Sequence, residues 1–227
     1  MKCGKMNLCP KTKKQMENKD LFYGNLSYLQ NKEANTLIKA YLPIIKKFTS
    51  ENYIFPDDES SIKEVEFLKM KLRPKILLDS NHRFLAQDDD LFAYLKEANK
   101  QMGLNDEVYE KLEPVLLKVI NPIVLHLKRY WNRARPYQYA FAYNKDFHPL
   151  STISGNSPAY PSGHTMQAET WAYIMKDNYP ELSERIDLIK EDISESRISM
   201  GVHFPSDIDF GKKIIEFLWT KNLINKQ

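Results

Sequence analysis

The chain has 227 residues, of which 42% are hydrophobic and 28% are charged, and its formal net charge is +3. This length and composition predict one globular domain with a sizeable core. The near balance of 33 basic and 30 acidic residues argues against the dense basic face of a nucleic-acid-binding protein. Cys3 and Cys9 exclude a disulfide framework and, alone, make a poor metal site.

The first twenty residues are rich in lysine and contain no apolar run. We expect residues 1–20 to form a mobile N-terminal segment and residues 21–227 to form one domain. The most apolar stretch, 115–127, is too short and too polar to span a bilayer. Because no secretory signal is visible either, we expect a chain that is not membrane-spanning and is intracellular, in the cytoplasm.

Apolar residues recur at steps of three and four through most of the chain, which indicates helices. The predicted helices lie within 27–50 and at about 61–72, 91–102, 105–131, 162–178, 182–200 and 206–222. Asp89 or Asp90 and Asn105 are candidate N-caps, and Pro114 and Pro122 should bend or divide the fourth helix. Residues 136–161 look irregular. We predict an all-α, single-domain bundle of about seven helices.

Two basic residues, Lys128 and Arg135, are seven positions apart where the fourth predicted helix ends before Pro136. Seven residues are nearly two turns, so both side chains should leave from about the same helix face. Two converging cations suit an oxyanion, because arginine supplies a planar fork and lysine a point charge. Taken alone, the same pattern also fits a solvated basic face that includes Arg129 and Arg133.

The segment Pro161-Ser162-Gly163-His164 stands where irregular chain turns into a helix. Ser162 is a candidate N-cap, and Gly163 allows close approach of the backbone to a ligand. The free N–H groups and the positive end of the helix dipole suit a phosphate, with His164 beside it. By itself, this segment also fits an ordinary capped helix with a surface histidine.

A third pair, His203 and Asp207, is separated by three residues that include Pro205. A carboxylate bonded to one ring nitrogen fixes the histidine tautomer and raises the basicity of the other nitrogen. Arg197, six residues upstream of His203, could reach the same anion. The alternative for this segment alone is a His–Asp pair that braces a loop.

Together, the three segments resemble the signature of one superfamily. Its pattern is K-x6-RP, then PSGH, then SR-x5-H-x3-D, and all eleven fixed positions match here, with Ser196 as the first residue of the last block. The superfamily comprises the class A nonspecific acid phosphatases, the type-2 phosphatidate phosphatases and the vanadium haloperoxidases. The stretches AYPSGHT and GVHFPSDIDFGKK are most similar to the soluble acid phosphatases. The resemblance covers about residues 85–220.

The resemblance implies a phosphatase of the acid phosphatase type that works through a phospho-histidine. His203 would be the nucleophile, His164 the general acid and Asp207 the residue that orients His203. Phosphate-binding residues would be Lys128, Arg135, Ser162, Gly163 and Arg197. No metal or other cofactor is implied, because three cations would neutralise the phosphoryl charge, and vanadate would inhibit.

The implied partners are small-molecule phosphate esters, with a homo-oligomer left open. Three alternatives also remain open. A vanadium haloperoxidase would use the same site with vanadate bound to His203. A soluble lipid-phosphate or pyrophosphate phosphatase would differ only in its substrate. A helical scaffold could bind phosphorylated partners through an inactive site.

Overall fold

The computed structural model describes residues 43, 45, 46, 55–75, 80–150, 152 and 154–224. Helices α1 (Asp58–Lys75), α2 (Ser80–Asp89), α3 (Leu91–Gln101) and α4 (Asp106–Val115) come first. A π-helical segment (Leu116–Ile120) joins α4 to α5 (Asn121–Trp131). Then follow α6 (Pro136–Ala142), α7 (Gly163–Asn178), α8 (Ser183–Ser199) and α9 (Pro205–Thr220), with short 3₁₀ turns at Ser154–Asn156 and Pro180–Leu182.

These elements confirm the all-α prediction, since the described ranges contain no β-strand. Counting α4 and α5 as one continuous helix, the described part of the chain has eight helices. The prediction of about seven helices is confirmed, and Ser80–Asp89 and Pro136–Ala142 are two helices that the periodicity did not predict. The first predicted helix and the segment 1–20 lie outside the described residues, except for helical positions 43, 45 and 46.

Several helix boundaries follow the predicted capping chemistry. Asp90 accepts a hydrogen bond from Ala93 N at 3.0 Å, and Asn105 accepts one from Val108 N at 3.3 Å. Each satisfies a backbone donor that the first turn of a helix leaves without an intrahelical partner. The predicted division between Pro114 and Pro122 takes the form of the π segment, which lies between the two prolines. Proline has no backbone N–H to donate, and a π turn is a local change in hydrogen-bond pattern by which a helix adjusts to such an interruption.

Helix α7 lies at the centre of the bundle and packs against α8, α9, α5 and the π segment. Its Trp171 is fully buried in the larger core cluster, and the indole N–H donates to Asn99 Oδ1 at 3.1 Å. Such a partner is what a buried indole nitrogen requires. Because α7 is packed into the core, its first turn is held in a fixed position.

A second core cluster packs α1 against α6 and α8. Its buried members include Val65 and Leu68 of α1, Tyr139 of α6 and Phe204 just before α9. Hydrophobic burial therefore brings α1 beneath the loop that leads into α9. In the described part of the chain, no helix has both the length and the apolar composition needed to cross a bilayer.

Candidate active site

The loop between α8 and α9 carries His203 and brings it to Asp207. Gly201 adopts a φ of +71°, which L side chains rarely adopt, and a Cβ there would lie 2.7 Å from Phe147 Cζ. Helix α9 starts at Pro205, so Asp207 lies in its first turn and accepts from Phe204 N at 2.8 Å. The same oxygen, Oδ2, lies 3.0 Å from His203 Nδ1.

This contact determines the tautomer of His203. Because a carboxylate only accepts, Nδ1 carries the proton and donates it to Asp207, which leaves the Nε2 lone pair available. Both side chains are almost completely buried, at 1% exposure for His203 and 0% for Asp207. The arrangement is that of a neutral imidazole nucleophile with its orienting carboxylate.

Lys128 and Arg135 both reach the loop that precedes α7. The Lys128 ammonium donates to the Pro158 carbonyl, and Arg135 Nε donates to the Ser157 carbonyl at 2.6 Å. Arg135 Nη1 also donates to the Val202 carbonyl at 2.6 Å, immediately before His203. Arg135 therefore links the loop that precedes α7 to the loop that carries His203.

The expectation that Lys128 and Arg135 share one helix face is wrong. Helix α5 ends at Trp131, because Asn132 adopts the left-handed conformation with φ 46° and ψ 36°. Asparagine tolerates this conformation better than most residues. Arg135 is extended and precedes α6, which occupies part of the region predicted to be irregular. The turn at Asn132, and not helical periodicity, directs Arg135 toward the site.

Arg197, the third predicted phosphate ligand, lies near the end of α8 and is fully buried. Its Nη1 donates to Asp88 Oδ1 at 2.7 Å, and its Nε donates to Ser196 Oγ at 3.0 Å. Asp88 is at the end of α2 and is itself buried.

The start of α7 has the predicted capping geometry. Ser162 Oγ accepts from Thr165 N at 3.3 Å, and Gly163 is the first helical residue. A Cβ on Gly163 would lie 3.0 Å from Val124 Cγ1 and 3.9 Å from Lys128 Cε, so the absence of a side chain allows α7 to approach α5 closely. The Lys128 side chain thus lies against the helix N-terminus, where backbone N–H groups favour an anion.

His164 is the second residue of α7, and its imidazole is partly exposed. Its Nε2 lies 3.1 Å from the Gln87 carbonyl of α2. Because a carbonyl only accepts, Nε2 carries a proton, and Nδ1 is the nitrogen available to exchange a proton with a substrate. The two histidines therefore use opposite ring nitrogens for their protein contacts.

The electrostatics indicate that these groups converge. Burial lowers the pKa of His203 well below its ordinary value, and the charges of Arg135, Lys128 and Arg197, in that order, lower this pKa further. Burial and then Arg197 lower the pKa of His164 to about 3. Burial and the Arg135 charge also lower the pKa of Lys128. A site that disfavours additional positive charge so strongly is one that favours a bound anion.

The structure thus brings together all eight predicted site residues. They are the pair His203 and Asp207, the acid candidate His164, and the candidate phosphate-binding residues, called the anion cradle below: Lys128, Arg135, Ser162, Gly163 and Arg197. Sequence reasoning missed Asp88 and the buried Arg133, which contacts Asp207. Arg133 had been grouped with a solvated basic face. Among the described residues, no group of three or more His, Cys, Asp or Glu side chains is arranged to hold a metal ion.

The part of the chain that carries the candidate site is similar to known proteins. Residues 115–215 match the family model described as the PAP2 superfamily. A non-specific acid phosphatase from Salmonella typhimurium is 28% identical over 92 residues, which are 40% of this chain and 36% of that protein. The chain thus spans little more than a third of the curated relative's length.

A solved structure covers more of the chain. It is a transmembrane PAP2 type phosphatidylglycerolphosphate phosphatase from Bacillus subtilis, 19% identical, with a TM-score of 0.49 over 87% of this chain and 99% of that one. The family match spans the motif segments from Lys128 to Asp207, including every residue of the anion cradle. The match over residues 115–215 agrees with the resemblance that the motif segments show to this superfamily.

Proposed function

We propose that this protein is a phosphatase that hydrolyses phosphate monoesters through a phospho-histidine on His203. The observation that carries the proposal is the convergence of three cations on one buried imidazole, whose Nδ1 is already bonded to Asp207. The name of the Salmonella relative, a non-specific acid phosphatase, favours the same activity. The 28% identity is confined to part of each chain, so the site geometry carries more weight than the relative.

Binding would use the anion cradle. Lys128, Arg135 and Arg197 would contact non-bridging oxygens, while Ser162 and the Gly163 N–H would complete the shell at the start of α7. Donors held in place before the reaction need no reorganisation when charge shifts toward the leaving oxygen. Backbone and carboxylate contacts already hold the two arginines, which supports such preorganisation.

In the first step, the Nε2 lone pair of His203 attacks phosphorus in line with the leaving oxygen. The P–N bond forms as the P–O bond to the leaving group breaks, and His164 Nδ1 gives its proton to that oxygen. The imidazole gains positive charge during this step, and the Asp207 carboxylate at 3.0 Å from Nδ1 stabilises that charge.

In the second step, water attacks the phosphorus of the phospho-histidine. His164, now neutral, takes a proton from the water, the P–N bond breaks, and phosphate leaves with His203 restored. The protein then stands in its starting protonation state, because His164 again carries the proton that it can give to the next leaving group. We propose that no metal takes part, because the three cations already supply the charge neutralisation that phosphoryl transfer requires.

The test is hydrolysis of p-nitrophenyl phosphate with EDTA present and with vanadate added. We expect activity to survive EDTA, to be inhibited by vanadate, and to fall by at least about 10³-fold in His203→Ala. The control is Glu169→Gln, which breaks the ion pair of Glu169 and Lys190 between α7 and α8 and should leave most activity. Loss of activity with EDTA and its return with a divalent metal would refute the metal-independent mechanism.

The same anion cradle would also accommodate vanadate, the cofactor of a haloperoxidase. The vanadate-loaded protein should therefore be assayed for bromide oxidation by hydrogen peroxide. We expect none, and halide oxidation without ester hydrolysis would replace the phosphatase proposal. A panel of alkyl phosphates, pyrophosphate, nucleotides and dispersed lipid phosphates would then define the substrate class.

A further inference from the structure

Arg133 lies beneath the His203–Asp207 pair and is not among the motif residues. We propose that Arg133 is a positioning residue that holds the Asp207 carboxylate in the orientation that His203 requires. The inference rests on the proposed role of His203 as nucleophile. It assigns a function to a residue that neither the resemblance nor the predicted site included.

The contacts of Asp207 are divided between its two oxygens. Oδ2 accepts from His203 Nδ1 at 3.0 Å and from Phe204 N at 2.8 Å, whereas Oδ1 accepts from Arg133 Nη1 at 2.6 Å. Rotation of the carboxylate would therefore break the Arg133 contact as well as the histidine contact. Arg133 therefore restrains rotation of the carboxylate about the Cβ–Cγ bond of Asp207.

The Arg133 guanidinium is itself held on several sides. Its Nη2 donates to Glu64 Oε2 at 2.9 Å and to Ser61 Oγ at 2.8 Å, both on α1. Its face lies 3.9 Å from the centroid of the Phe204 ring, within cation–π distance. Arg133 and Asp207 have no exposed side-chain surface, so water cannot replace either partner.

This burial makes the ion pair sensitive to the loss of one partner. An isolated carboxylate at this depth would take up a proton, since burial alone raises the pKa of Asp207 and Arg133 opposes that rise. A protonated Asp207 could donate a proton as well as accept one, so the tautomer of His203 would no longer be determined. Arg133 therefore supports the nucleophile through Asp207 without touching a substrate.

Glu64 has the opposite effect to Arg133 on the pKa of Asp207. Its negative charge raises the pKa of Asp207, and it also accepts from Ser206 N at 2.7 Å at the start of α9. The charged groups that surround the His203–Asp207 pair come from five parts of the fold: Glu64 on α1, Lys128 on α5, Arg133 and Arg135 after α5, His164 on α7 and Arg197 on α8. Among these groups, Arg133 donates directly to Asp207.

The experiment compares Arg133→Gln and Glu64→Gln with the parent over a range of pH. Arg133→Gln should lower kcat by about 10²-fold while KM changes by less than about threefold, because the residue touches no substrate. In this variant, the fall of kcat on the acidic side of the pH profile should move to higher pH, because loss of the Arg133 charge raises the pKa of Asp207. Glu64→Gln should move the acidic fall of kcat to lower pH, because it removes the negative charge that raises the pKa of Asp207. A shift in the same direction for both variants, or no shift, would overturn the proposal.

A double variant tests whether Arg133 acts through Asp207. Arg133→Gln combined with Asp207→Asn should be no slower than Asp207→Asn alone by more than about threefold, since residues that act as a unit are not additive. Multiplicative losses would refute the positioning role. Arg133→Lys keeps the charge but not the fork, so we expect its kcat to lie between those of the parent and Arg133→Gln.

A further measurement does not depend on phosphatase activity. The ¹⁵N shifts of the His203 ring report the tautomer directly, and Arg133→Gln should convert the Nδ1–H form of the parent into a mixture. Glu169→Gln is the matched control, since it breaks another largely buried ion pair and should leave the His203 tautomer unchanged. If the parent hydrolyses no phosphate ester, the proposed function fails, while the tautomer of His203 still decides the role of Arg133. If Arg133→Gln does not fold, Glu64→Gln and Arg133→Lys supply the comparison.

Discussion

Asp88 Oδ1 and Arg197 Nη1 form a buried ion pair at 2.7 Å across 109 residues of sequence. Arg197 is one of the three cations of the anion cradle, and Asp88 also raises the pKa of His164. The end of α2 therefore affects both the anion cradle and the candidate acid. Asp88 compensates the charge of Arg197 while the site is empty, when no phosphate oxygen is there to do so.

We predict that Asp88→Asn is destabilised by about 2–4 kcal/mol, because it leaves Arg197 buried without a full counter-charge. Sulfate should then raise the melting temperature of the variant more than that of the parent, since the anion replaces the missing charge. Thermal unfolding with and without sulfate measures both effects. Glu169→Gln should show a comparable loss of stability but no additional gain from sulfate. An equal sulfate effect on Asp88→Asn and the parent would exclude the compensating role.

Anion binding should change the protonation of His164. In the empty site, burial and Arg197 lower the pKa of His164 to about 3, so the ring is neutral near pH 6. A bound dianion offsets the nearby cations and favours the imidazolium, which a general acid must be. We expect sulfate to raise the pKa of His164 by at least about one unit, measured by NMR titration of its ring. An unchanged titration with the site saturated would mean that His164 is not the acid.

The two histidines should respond differently to the leaving group. His203→Ala should abolish turnover on every ester, whereas His164→Ala should retain more first-turnover rate on p-nitrophenyl phosphate than on an alkyl phosphate. The p-nitrophenolate group can leave without being protonated, whereas an alkoxide must be protonated to leave readily. Rapid-quench measurement of the first turnover separates this step from hydrolysis of the phospho-enzyme. An equal loss on both substrates would show that His164 does not protonate the leaving group.

Acid should destabilise the fold through the same histidines. Both His203 and His164 have a folded-state pKa below the ordinary value of 6.5, so below that pH the unfolded chain binds protons that the folded chain does not. The free energy of unfolding should therefore fall as pH decreases from about 6.5 toward 3, by up to about 1.4 kcal/mol per pH unit for each histidine. Urea unfolding in buffers without phosphate or sulfate measures this slope. His164→Gln should reduce the slope of the unfolding free energy against pH. An unchanged slope would mean that groups other than His164 cause the acid destabilisation.

The sequence by itself determined the helical class, several caps and the residues that we propose for the site. Helical periodicity and capping chemistry are local, so Asp90, Asn105 and Ser162 cap the helices as expected. The motif residues were identifiable because their types and spacing are unusual in combination. Dividing the fourth helix near its two prolines was also predictable, because proline removes a backbone donor wherever it stands.

Tertiary structure alone decided how these residues are held. The left-handed turn at Asn132, and not one helix face, directs Arg135 to the loop beside His203. The sequence gives no sign of the ion-pair partners of Asp88 and Arg133, which lie 109 and 74 residues away. Burying a charge is favourable only when a distant element supplies the opposite charge. Packing of α2 against α8 supplies the partner of Asp88, the first turn of α9 supplies the partner of Arg133, and only the folded chain reveals them.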